Sequence, residues 1–212
     1  MFEQYKTLIF DCDGVILDSN RLKSEAFYTA VLADGDLFST ELVKYHKKNG
    51  GISRYKKFEH YLNIINPDSI YSLSELLDGY KKSVVSSLLN CAMSTGFEGF
   101  IKKNVNSRCM VISGGDQLEL NHVFNKRRLS HFFDGGIFGS PCDKDEIISA
   151  QIENGNIEFP AIFFGDSKYD YEVAIKNGMD FIYLYELSDI DDHKAWVYAN
   201  NIESHKNFDE IC

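Results

Sequence analysis

The sequence predicts an α/β fold, a doubly wound parallel sheet with an all-helical insertion after its first strand. Three observations predict it. Short apolar runs fall at 7–10, 108–112, 137–138, 161–164 and 181–185, and most of them end in polar or acidic residues. From about residue 105 onward these runs alternate with stretches of helical pattern, as βαβ units do. Between the first run and the rest, residues 16 to 88 are patterned as helix and hold no convincing strand. The expected division is therefore a core of 1–15 and 89–212 and a helical cap domain of 16–88.

The first run, Thr7-Leu8-Ile9-Phe10, is too short for an ordinary helix and reads as a buried strand. It ends in Asp11-Cys12-Asp13-Gly14. If the strand continued through Asp13, both carboxylates would share a face, because strand side chains alternate with period two. Two close like charges raise each other's pKa unless a cation separates them or one keeps its proton. Cys12, between them, is read either as a reactive thiol or as a small buried hydrophobe pointing away from the acids. Ser19 or Asn20 can cap a helix over about 21–33, and Asp34-Gly35-Asp36 signals a turn. Helices are expected over about 39–48, 53–65 and 72–90, separated by Asn49-Gly50-Gly51 and Asn66-Pro67-Asp68. Tyr55, Phe58 and Tyr61 form an apolar stripe on the second of these.

Beyond the insertion, Arg108 to Ile112 reads as a strand ending in Ser113-Gly114-Gly115-Asp116, and a helix follows over 116–128. Ile137-Phe138 leads to Lys144 and a helix over 144–154. Ala161 to Phe164 ends in Gly165-Asp166, with Asp170 in the helix that follows, 169–177. Phe181 to Tyr185 is the last expected strand, and 186–212 reads as acidic and less patterned.

The chain has 212 residues, enough for a substantial core, and its hydrophobic content of 44% excludes a disordered chain. A net charge of −10 disfavours nucleic-acid binding, which needs a basic footprint. No apolar run reaches the roughly 18 residues of a spanning helix, and Met1 to Lys6 has no leader pattern. No membrane association is therefore expected. Five scattered cysteines, with no Cys-x-x-Cys pair, point to a reducing cytoplasm rather than a zinc site.

In a parallel sheet the polar strand ends gather at one edge. That would assemble Asp11, Asp13, Ser113, Lys144, Asp166 and Asp170. The carboxylates could hold magnesium, which prefers oxygen ligands. Ser113 and the N–H groups of Gly114 and Gly115 could bind phosphate oxygens, and Lys144 could neutralise a carboxylate and a phosphoryl group together.

These residues, in this order, resemble the motifs of the haloacid dehalogenase superfamily, in particular its phosphoglycolate phosphatase and β-phosphoglucomutase-like members with a helical cap. The motif residues are Asp11-x-Asp13-Gly14-Val15, then Ser113, then Lys144, then Gly165-Asp166-x-x-x-Asp170. The resemblance implies a Rossmann-like core and a magnesium-dependent phosphatase acting on a small phosphorylated metabolite, such as a sugar or polyol phosphate. It implies Asp11 as the nucleophile that becomes an aspartyl-phosphate and Asp13 as general acid and base. It implies Ser113, Gly114 and Lys144 as phosphate-binding residues. Asp11, Asp13 (through its carbonyl), Asp166 and Asp170 would form the metal site. The third motif departs from the common Lys-Pro, since Asp145 follows Lys144. A phosphomutase of the β-phosphoglucomutase type is the close alternative; a receiver-like or degenerate phospho-binding module is the non-enzymatic one. Ser19, Asn20, Arg54 and Lys57 are the candidates for meeting the substrate from the cap. For Arg54, Lys56 and Lys57 an exposed basic helix face is the competing reading. The protein is expected to act alone or as a homodimer.

Overall fold

The computed structural model describes residues 2–211. Met1 and Cys212, the last of the five cysteines, lie outside the described residues. A six-stranded sheet runs in the order β3-β2-β1-β4-β5-β6 with every pairing parallel. Its strands are β1 (Thr7–Phe10), β2 (Arg108–Asp116), β3 (Gly136–Ser140), β4 (Ala161–Gly165), β5 (Asp180–Leu184) and β6 (Glu203–His205). β1 lies at the centre, with Thr7 opposite both Arg108 and Ala161. Flanked on both sides and covered on both faces, it is buried at every residue: Leu8, Ile9 and Phe10 are apolar, as such a strand requires, and the Thr7 hydroxyl is satisfied by the Glu158 carbonyl at 2.9 Å.

Period-two alternation sends the β1 side chains into two separate cores. Leu8 and Phe10 join one with Val111, Phe164 and Ile182; Ile9 joins the other with Met110, Ile112, Phe163 and Tyr183. Phe10 stacks on Phe164 at 5.0 Å, and Phe97 and Phe100 present their edges to Phe10. Such offset and edge-on pairs add to the burial of the rings themselves.

The insertion between β1 and β2 is helical: α1 (Asn20–Ala30), α2 (Asp36–Lys48), α3 (Arg54–His60) and α4 (Leu73–Asn90). α3 runs on into a π-helical turn, Tyr61–Ile65. Phe27, Leu42, Phe58, Tyr61 and Tyr80 fill the space between these helices. Phe58 and Tyr61 belong to the expected stripe, whereas Tyr55 donates its hydroxyl to Asp116 at 2.7 Å. α4 starts at a reciprocal cap between Ser72 and Glu75. The turn at Asp34 holds because its carboxylate accepts from Tyr61, Ser69 and the Ile70 N–H.

The rest is alternating: α5 (Phe97–Lys103) before β2, α6 (Gln117–Lys126) after it, α7 (Lys144–Glu153) after β3 and α8 (Lys168–Lys176) after β4. The tail is more ordered than its pattern suggests. It forms α9 (His193–Asn200), β6 and α10 (Phe208–Ile211). β6 is a polar edge strand, Glu-Ser-His, held by backbone pairing to β5, so no apolar pattern marks it. Phe208 reaches the core and contacts Phe97, Phe100 and Phe164. Cys12 is buried in the apolar core, and burial pushes its thiol well above the usual range. No helix among the described residues is long and apolar enough to cross a membrane.

Candidate active site

The centre of the site is built by the end of β1. Asp11 follows the last strand residue and keeps the ladder going, its N–H donating to Phe164 O at 3.0 Å. The strand stops at Phe10, so Asp13 is placed by a turn and not by strand alternation. Gly14 makes that turn, with φ at +74°. A Cβ on Gly14 would stand 2.1 Å from Asp166 Oδ2 and 2.5 Å from Asn20 Nδ2. Both the left-handed backbone and the close approach therefore require glycine.

Lys144, the first residue of α7, is almost wholly buried. Its Nζ donates to Asp170 Oδ1 at 2.5 Å and forms an ion pair with Asp11 Oδ1 at 2.9 Å. The second contact is poorly directed for a hydrogen bond, so Asp11 Oδ1 is buried with no well-aligned donor. The other oxygen of Asp170 accepts from the Ser167 N–H and hydroxyl, at 3.2 and 2.7 Å. Asp170 thus caps α8 and orients Lys144 at once. Lys168, the other lysine nearby in sequence, is exposed. Asp166 Oδ2 accepts from Asn20 Nδ2 at 2.7 Å.

One carboxylate oxygen each from Asp11, Asp166 and Asp170 lies within 4.8 Å of the others, and all three residues are buried. Three carboxylates beside one ammonium leave two uncompensated negative charges. The cost appears in their protonation. Burial first, then Asp170 and Asp13, push Asp11 up to about 6 against the pull of Lys144. Burial first, then Asp11 and Asp170, push Asp166 well above the usual carboxylate range. An all-oxygen donor set short of two positive charges fits a hard divalent cation such as magnesium.

Ser113 is buried and its Oγ accepts from the Gly115 N–H at 3.1 Å, while Gly114 and Gly115 line the cavity above. Asp116, not Ser113, caps α6 by accepting from the Glu119 N–H at 3.0 Å. The helical insertion closes over this turn. A Cβ on Gly114 would meet Gly51 O at 2.3 Å. That contact seats the Asn49-Gly50-Gly51 turn on the phosphate-loop candidate.

The entry to α1 faces the acids. Ser19 is in the cap position but its hydroxyl donates to Asp13 Oδ1 at 2.6 Å, and Asn20 bridges Asp166 and the Leu187 carbonyl. Lys23, one turn further along α1, forms a largely buried ion pair with the half-buried Asp13. Burial opposes ionisation of Asp13, but the charge and hydrogen bond of Lys23 and the Ser19 hydroxyl outweigh it. Its carboxyl is held below the usual range.

Arg54 and Lys57 are both buried, so neither belongs to an exposed basic face. Arg54 makes a two-pronged ion pair with the buried Glu119 of α6 and lies over the Tyr80 ring, 4.6 Å from its centroid. Lys56 is exposed and pairs with Asp143. Lys57 Nζ lies 2.7 Å from His46 Nδ1. Between the insertion and the sheet edge is a cavity of about 780 Å³, lined among others by Asp11, Asp13, Lys23, Lys57, Gly114 and Asp166. That is the size of an ordinary small-molecule site.

Sequence reasoning placed the six motif residues and the two α1 residues at this site. It set Lys23 with Ser19 and Asn20 at the entry to the insertion, as pocket-lining or as hinge and helix-cap residues, without pairing it to Asp13, and it singled out neither Glu119 nor His46 as a partner. Lys23 carried a usable signal: it lies four residues after Ser19 and three after Asn20, on the same helix face. The pairing of His46 with Lys57 joins two helices whose rotation no local pattern specifies.

The model of the family described as haloacid dehalogenase-like hydrolase matches residues 8–184. No curated protein matches the chain. Among solved structures, a "predicted phosphatase" from Clostridium acetobutylicum is similar at 20% identity and a TM-score of 0.76, covering 99% of this chain and 97% of that one. A haloacid dehalogenase-like family hydrolase from Streptococcus pneumoniae is similar at 17% identity and a TM-score of 0.69, with 98% and 97% covered. A β-phosphoglucomutase from Clostridium difficile is similar at 19% identity and a TM-score of 0.73, with 98% and 93% covered. At these identities the likeness is one of fold.

Proposed function

The chain belongs to the haloacid dehalogenase-like hydrolases, and from that premise we propose that it is a magnesium-dependent phosphatase of small phosphate esters. One observation carries the reading: Asp11 lies beside Lys144 and two further carboxylates, at the base of a cavity that Asp13 also lines.

Asp11, Asp166 and Asp170 would hold the metal, with the Asp13 carbonyl; both Asp170 oxygens already serve Lys144 and Ser167, so its part is chiefly to position. Magnesium supplies charge neutralisation at the phosphoryl oxygens and at Asp11. The remaining work falls to the protein. Lys144 keeps Asp11 oriented and lowers the repulsion between carboxylate and phosphoryl group. The Gly114 N–H and the Ser113 hydroxyl, the latter held by the Gly115 N–H, receive the phosphoryl oxygens. Asp11 attacks phosphorus through a carboxylate oxygen, the ester P–O bond breaks, and Asp13 gives its proton to the departing oxygen. Asp13 then takes a proton from the water that attacks the aspartyl-phosphate, releasing inorganic phosphate and free Asp11. Lys23 and Ser19 favour the ionised Asp13, the form the second half-reaction needs; the proton that Asp13 gives in the first is therefore one it takes up, against their pull, when the ester's charge enters the site. The α1–α4 segment acts as the cap: its Gly51 turn covers the phosphate loop and its interior meets the leaving group.

The test is phosphate release from p-nitrophenyl phosphate and a panel of metabolite esters with magnesium, in wild type and Asp11→Asn. Turnover that persists in Asp11→Asn overturns the mechanism. Phosphorus NMR of the products separates a phosphatase from a phosphomutase, which returns the phosphoryl group to a sugar hydroxyl.

A further inference from the structure

Among the described residues four lysine or arginine side chains are buried: Lys23, Arg54, Lys57 and Lys144. Three are matched by carboxylates: Lys23 by Asp13, Arg54 by Glu119, and Lys144 by Asp11 and Asp170. Lys57 has no carboxylate within ion-pair distance. Its one polar partner is the His46 imidazole, and its Nζ also lies 5.6 Å from the centre of the Phe27 ring. A charged Lys57 can only donate, so in that state His46 Nδ1 accepts and the imidazole proton sits on Nε2. That makes His46 neutral, and its buried Nε2 has no partner either. A buried ammonium without a counter-charge is costly, and a protein normally pairs it or removes it. Here it lines the cavity, across from the phosphate loop.

We propose that Lys57 is the receptor for a second anionic group on the leaving-group side of the substrate, a carboxylate or a second phosphoryl group. The inference rests on the phosphatase reading and narrows it from small phosphate esters in general to those carrying a further anion. His46 positions the amine through Nδ1 without balancing its charge.

The groups that face Lys57 agree with this. Lys23 of α1 repels it, and Lys47, on α2, acts on the same His46. Asp11, Asp13 and Asp166 draw on it from the sheet edge, but Lys144, Lys23 and Asn20 already engage them. Asp189, on the loop after β5, also feels Lys57 and Lys47. Burial first, then Lys23, bring the Lys57 ammonium down to about 7. An arriving anion reverses that balance and draws a proton onto the amine, so binding of the anionic ester weakens as pH rises.

The experiment compares three esters on the full chain with magnesium: 3-phosphoglycerate, 1,3-propanediol bisphosphate and glycerol 3-phosphate, which has a hydroxyl group in place of the second anion. The readout is the ratio of kcat/KM between an anionic ester and glycerol 3-phosphate, so any general loss of activity cancels. We expect a ratio of about tenfold or more near pH 6.5, falling toward pH 8.5. Lys57→Arg should keep the ratio and flatten its pH dependence, because guanidinium does not titrate there. Lys57→Met should bring the ratio close to one. The carboxylate and bisphosphate arms tell which anion the site takes. A wild-type ratio near one for both anions, or a ratio unchanged in Lys57→Met, overturns the proposal. If no ester turns over, the phosphatase reading fails and the anion site is read by calorimetry instead, with 3-phosphonopropionate against propylphosphonate. Proton uptake on binding the first alone supports the site; equal binding of both, or of neither, overturns it.

Discussion

Replacing Lys57 by methionine tests the electrostatics of the cap without reference to catalysis. The unfolded amine titrates at its ordinary 10.5, and the folded one at about 7. Between those values the unfolded chain binds the extra proton, so stability rises with pH across that window. Well above 7 the gain approaches 1.4 kcal/mol per pH unit; allowing for half-protonation at 7, the rise from pH 7 to 9 comes to about 2 kcal/mol. Other shifted groups are common to wild type and variant and cancel in the difference, among them Cys12, Cys91 and Cys109, whose thiols burial raises above their ordinary 9.0. Tyr80, raised to about 12 by burial, departs from its unfolded behaviour only above 10. His46 is held well below its usual value by burial and by Lys57, and so acts only on the acid side. The Lys57→Met variant lacks the titrating amine, so subtracting its stability curve isolates Lys57. The assay is urea unfolding followed by circular dichroism at pH 7, 8 and 9. Lys57→Met should be the more stable protein at pH 7, and its advantage should shrink by about 2 kcal/mol by pH 9. A difference flat to within about 0.5 kcal/mol refutes the buried, uncompensated amine. A residue whose removal stabilises the fold is retained for some other reason, which is the usual mark of function.

Other expectations follow from the same contacts. Glu119→Ala leaves the Arg54 guanidinium buried without its partner and should cost about 3–5 kcal/mol in urea unfolding; Arg54→Met with Glu119→Leu should recover most of that, and strict additivity of the two changes would count against the pair. Gly14→Ala should abolish phosphate release, because its Cβ displaces Asp166 and Asn20; retained activity with an unchanged circular dichroism spectrum would sink that assignment. Phe208→Ala should destabilise the fold by about 3–5 kcal/mol, despite lying in the tail, since its ring packs against four core phenylalanines. A loss below about 1 kcal/mol in thermal or urea melts would mean that the tail is not part of the core.

What was legible in the sequence shares one property: its position in space follows from its position along an element. Asp11 and Asp166 each follow an apolar strand and Ser113 follows the apolar part of β2, and a parallel sheet brings such ends to one edge without further information. Ser19 and Asn20 come next to that edge because they begin the helix that leaves it. β6 was invisible because an edge strand paired on one side needs no apolar pattern, and Glu203-Ser204-His205 has none. Arg54, Lys56 and Lys57 show where local reading ends. Within four residues of one helix start, one cation is buried against a core glutamate, one pairs at the surface with Asp143, and one is buried beside a neutral imidazole. Helical periodicity cannot separate them, because their fates depend on which residues α2, α6 and α7 bring alongside. A positive residue in a sequence is therefore not yet a positive charge available to a substrate. Arg54 looked as able as Lys57 to meet an anion, and Glu119 has already met it; the charge left for a ligand is the one that the fold leaves without a counter-ion.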